Sequence, residues 1–101
     1  MTAPLFDTAY RDAFGERLTK AIFDVSMQEI DGQTVCYMRA AELIDAMITN
    51  AAILMRDSEG TSTPARTRQF CDELARKLQR RIAQAKRAEV PFETVNADWT
   101  H

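Results

Sequence analysis

One histidine occurs in the sequence, and it is the last residue, His101. A side chain at a chain terminus is poorly held for general acid–base work or for a rigid metal site, which removes the histidine-dependent constellations from consideration. No glycine-rich phosphate loop is present, and glycine and proline number only three each. Few such residues mean few turns, and five methionines with many alanines favour helix. A membrane span is also lacking: it needs about 20 consecutive apolar residues, and the least polar long stretch, residues 34–55, is interrupted by Arg39, Glu42 and Asp45. The opening MTAPLFDTAYRDAF has neither the basic nor the apolar region of a signal peptide, so the expected location is cytoplasmic.

What is present is helical periodicity. Wound at 100° per residue, residues 34–55 place Cys36, Tyr37, Ala40, Ala41, Leu43, Ile44, Met47, Ile48, Ala51, Ala52, Leu54 and Met55 within about 180°. A helix lying on one core needs an apolar arc of only about 100°. The spacing therefore predicts a central helix over residues 34–57, with Thr34 as its N-cap and two neighbours covering it.

Before it, Phe6, Tyr10, Phe14, Leu18 and Ile22 recur every fourth residue, with Ala21 and Val25 on the same face, predicting a first helix over residues 7–31. Gly15 reads as a close-packing position or a slight bend, and Gly32 as the left-handed residue that ends this helix. Residues 58–62 are a polar turn. Thr63 and Pro64 then read as N-cap and first residue of a third helix over residues 64–88, whose apolar face is Thr67, Phe70, Cys71, Leu74, Leu78, Ile82 and Ala85. The expected fold is all-α: a single-domain, three-helix, up-down-up antiparallel bundle with a short tail, residues 89–101, carrying Val90, Phe92, Val95 and Trp99 as a strap.

Charge is unevenly distributed. Residues 1–60 hold 5 basic and 10 acidic side chains, residues 61–88 hold 8 and 2, and residues 89–101 add three acids. In the up-down-up bundle the first and third helices run parallel, which would set Asp12 level with Arg68, Asp24 with Arg80 and Arg81, and Glu29 near Lys86. Exposed pairs of this kind contribute less than about 1 kcal/mol each, so they would set orientation more than stability. Within the third helix, Asp72 and Glu73 precede Arg76 and Lys77 by four residues, the favourable order for intrahelical pairs. The same bundle separates Cys36 and Cys71 by about 13 residues of register, roughly 20 Å, beyond the reach of a disulfide; both are expected to be free and partly buried.

Two surfaces suggest function. Phe23, Met27 and Ile30 lie at i, i+4 and i+7, opposite the main stripe of the first helix, where a monomeric bundle would leave them in water. With Phe92 and Trp99 of the tail they form a candidate protein-contact surface. Arg76, Arg80 and Arg87 project from the back of the third helix and could track phosphates, although no aromatic residue is interleaved to stack a base. Asp12/Glu16 and Glu42/Asp45 have metal-ligand spacing, but bundle metal sites use inward-facing Glu-x-x-His units, and Glu42 and Asp45 point away from or flank the apolar arc. No cofactor, metal or catalytic group is therefore expected. The expected function is that of a non-enzymatic assembly or adaptor protein acting as a homodimer or on another protein. The alternative is a nucleic-acid-binding regulator using the basic helix, and a small catalytic or metal-binding bundle is the remaining possibility.

Overall fold

The computed structural model describes residues 5–88 and 94–95. Three α-helices are present among them: α1 (Thr8–Ser26), α2 (Ala40–Met55) and α3 (Pro64–Ala85). The all-α expectation is overturned, because strands β1 (Met27–Ile30), β2 (Gln33–Cys36), β3 (Met38–Arg39) and β4 (Thr94–Val95) stand beside them. Two compact units result, one of residues 5–43 with 94–95, the other of residues 44–88. No helix of the described residues is long and apolar enough to cross a membrane.

In the first unit, α1 begins where its cap dictates. The Asp7 carboxylate accepts from the Tyr10 amide at 3.0 Å, and the Arg11 guanidinium stands 5.8 Å from the centre of the Phe6 ring. The helix stops at Ser26, five residues before the position that the sequence predicts. Ser26 is buried, its hydroxyl donates to the Ile22 carbonyl at 2.6 Å, and its own carbonyl accepts from the Tyr37 amide at 2.8 Å. Residues 27–36 then form an antiparallel hairpin with Met27 opposite Cys36 and Ile30 opposite Gln33.

The two-residue loop explains the change. Asp31 and Gly32 both have positive φ, 52° and 76°, which is the type I′ turn whose twist matches paired strands. Gly32 thus closes a hairpin instead of capping a helix, and Thr34 lies within β2 instead of capping α2. Met27, Gln28 and Glu29 are good helix formers, but pairing with the β-branched Thr34 and Val35 outweighs that preference.

Met38 and Ala41 are the buried apolar side chains among the described residues. Met38 lies on β3, which packs against α1 and pairs in parallel with β4, Met38 opposite Thr94 and Arg39 opposite Val95. The tail thus returns to its own chain as a strand at residues 94–95, while Val90, Phe92 and Trp99 lie outside the described residues. Cys36, Tyr37, Met38 and Arg39 precede α2, so the wide arc read over residues 34–55 is shortened to residues 40–55.

Gly15 has open space where a Cβ would stand, so no close approach requires it. Gly15→Ala is expected to stabilise α1 by about 0.5–1 kcal/mol, measured as a rise in urea midpoint; a loss of stability would show that the glycine serves a contact after all.

In the second unit, a fixed elbow joins α2 to α3. It contains a 3-10 turn, Glu59–Thr61. The Thr61 hydroxyl donates to the Met55 carbonyl at 2.6 Å, and the Thr67 hydroxyl donates to the carbonyls of Thr63 and Thr61 at 2.9 and 3.3 Å. Thr63 caps α3 by accepting from the Arg66 amide at 3.1 Å, at the position that the Thr63-Pro64 pair predicts. Arg66 also reaches back to Glu59 at 2.8 Å, and the Phe70 ring lies so close to Gly60 that a Cβ there would meet it at 2.7 Å. These bonds tie the first turns of α3 to the elbow, and α3 packs on the 3-10 turn instead of lying along α2.

Candidate functional site

The apolar faces that a closed bundle would cover are open. On α3, Leu74, Leu78 and Ile82 recur at helical spacing and are exposed, Leu78 by 60%. On α2, Ile44 and Ile48 lie on one face and are exposed, Ile48 also by 60%, with Ala51 and Met55 half-buried beside them. In the first unit, Phe6, Tyr10 and Phe14 are exposed, and the stripe that they begin becomes half-buried only at Leu18 and Ile22. Isolated exposed apolar residues are ordinary, but residues aligned at helical spacing form a stripe along their helix, which is how interaction surfaces present themselves.

The candidate residues read from the sequence are distributed differently from the expectation. Phe23 is half-buried near the end of α1, whereas Met27 and Ile30 are on β1. Three residues apart on a strand, Met27 and Ile30 point to opposite faces, so the helical triplet is not formed. Both are exposed, opposite Cys36 and Gln33 respectively. Phe92 and Trp99 fall outside the described residues.

The ion pairs are also not those that the bundle register implied. Asp24 pairs with Lys20 at 2.7 Å and Asp12 with Arg11 at 2.9 Å, and Glu29 is on β1. The Lys20 pKa is raised by its hydrogen bond to Asp24 and then by the charge of that carboxylate, and the Arg39 pKa is raised in the same way by Glu42, 2.7 Å away. Both pairs lie in solvent. Among the described residues no carboxylate forms an ion pair with Arg76, Arg80 or Arg87, and the expected Asp72–Arg76 and Glu73–Lys77 pairs do not form. Among the described residues, therefore, no carboxylate offsets the positive stripe of α3.

Comparison with protein-family models, curated proteins and solved structures gives no match. The chemistry of the surface itself is the remaining guide. Among the described residues no three His, Cys, Asp or Glu side chains come together as metal ligands. Among the described residues, one shallow depression is lined by Glu59, Gly60, Arg66, Gln69, Phe70 and Glu73, and another by Arg11, Asp12, Gly15, Glu16 and Thr19. Cys36 and Cys71 are free; Cys36 is half-buried, but Cys71 is exposed on the apolar side of α3, contrary to the expectation of partial burial for both.

Ile44, Ile48, Leu74, Leu78 and Ile82 were legible in the sequence as apolar faces but were assigned to a core. The elbow residues Thr61, Thr67 and Phe70 decide otherwise. Their hydroxyl bonds and ring contact had no signature beyond a Thr- and Ser-rich connection.

Proposed function

We propose that the protein is a non-enzymatic, helix-rich assembly protein that acts in the cytoplasm through protein–protein contacts, as a homodimer. The observation that carries this reading is the small buried apolar inventory, Met38 and Ala41 among the described residues, beside aligned uncovered faces on the helices. Two free thiols suit a reducing compartment.

The test is absolute mass by light scattering on a sizing column, at low and at high salt. A mass of twice 11.5 kDa at both salts is expected, since burial of apolar surface survives screening whereas exposed ion pairs do not. A mass of 11.5 kDa at every concentration up to about 100 μM would exclude a homodimer of micromolar affinity.

One observation favours a second reading. Arg76, Arg80 and Arg87, which form no ion pair among the described residues, would serve a nucleic-acid-binding regulator, and binding of duplex or single-stranded DNA or RNA should then weaken steeply as salt rises. Absence of binding at low salt removes it.

A further inference from the structure

Building on the homodimer reading, we infer that the open face of α3 is occupied by α2 of a second copy of this chain, antiparallel and reciprocally, so that two open α2–α3 elbows close each other.

Length, charge and direction support this seating. Ile44 to Met55 covers twelve residues of α2 and Cys71 to Ile82 covers twelve residues of α3, about 16 Å from end to end in each case. Antiparallel alignment brings Ile44 level with Ile82, Ile48 with Leu78 and Met55 with Cys71, all three in one register. Within their own unit these faces remain uncovered, because the elbow bonds of Thr61 and Thr67 hold α3 against the 3-10 turn.

Charge selects the occupant. Helix α3 carries six basic and two acidic side chains, so α3 against α3 would bring like charges together. Helix α2 carries Glu42 and Asp45 and no basic residue. Charge also selects the direction: the parallel alignment of the same faces sets Asp45 level with Asp72, whereas the antiparallel one sets it level with Arg81. Opposite helix dipoles add to the preference for antiparallel packing.

Native Cys71 provides the probe. In a Cys36→Ser background, Met55→Cys under mild oxidation is expected to give a disulfide-linked dimer through Cys71 of the other copy, and Ile44→Cys is not. A dimer band from Ile44→Cys alone would overturn the antiparallel direction. A disulfide that forms within one chain, running at monomer mass, would overturn the exchange. Leu78→Glu places a charge in the seat and is expected to raise the dimer dissociation constant about hundredfold or more, with helical circular dichroism retained. A wild-type dimer whose mass and affinity Leu78→Glu leaves unchanged would overturn this seating while leaving the homodimer intact. A wild-type monomer would overturn both, and a monomer that shifts mass only on adding duplex DNA would give the α3 surface to nucleic acid.

Discussion

Met38→Ala is expected to cost about 2–4 kcal/mol, the ordinary loss for truncating a buried methionine. Met38 is 4% exposed and sits where β3 meets α1. The buried apolar inventory of the described residues is Met38 and Ala41, so few neighbours can collapse into the space left behind. That sum is a large share of the 5–15 kcal/mol by which most domains are stable. Urea unfolding at one fixed protein concentration provides the measurement, because association would otherwise move the midpoint. Met38→Leu keeps the volume and should cost less than about 1.5 kcal/mol. Equal midpoints for the wild type and the alanine variant would mean that β3 is not the anchor of its unit.

Gly32→Val should be the second most damaging change, by about 2 kcal/mol, with the cost concentrated in the hairpin. At φ 76° a β-branched side chain crowds its own backbone, and the left-handed conformation costs an L-residue roughly 1–2 kcal/mol even without branching. Gly32→Asn tolerates that conformation better and serves as the control. Amide exchange at residues 28, 30, 33 and 35, which belong to the β1–β2 pairing, should accelerate in the valine variant before the helices are affected. Valine and asparagine variants of equal stability would remove the type I′ turn as the determinant of this segment.

Other parts of the molecule were legible without coordinates. The start of α3 at Thr63 and Pro64 followed from side-chain chemistry at that boundary, and the start of α1 next to Asp7 followed from the apolar repeat. The apolar faces of α2 and α3 followed from periodicity alone. What periodicity cannot supply is the covering partner. Leu74, Leu78 and Ile82 have the same spacing whether they meet a neighbouring helix of their own chain, a second copy or water.

Residues 27–36 show the limit most directly. Asp31-Gly32 marks a chain reversal in either reading, because both a helix C-cap and a type I′ turn require a left-handed residue. The distinction rests on Asp31, which is also left-handed, and on the partner that the next segment finds. Met27, Gln28 and Glu29 prefer a helix when taken alone, but Thr34 and Val35 offer a strand to pair with.

The sequence by itself determined where α1 and α3 begin, which faces are apolar, where the chain reverses and how charge divides between residues 1–60 and 61–88. Only the tertiary structure decided that α1 ends at Ser26, that Met38 is buried and that the elbow leaves α2 and α3 open. Caps and periodicity act over one or two helical turns and are written in neighbouring residues. Strand pairing, burial and helix packing depend on groups distant in sequence, and their free energies outweigh local preferences of a few tenths of a kcal/mol per residue.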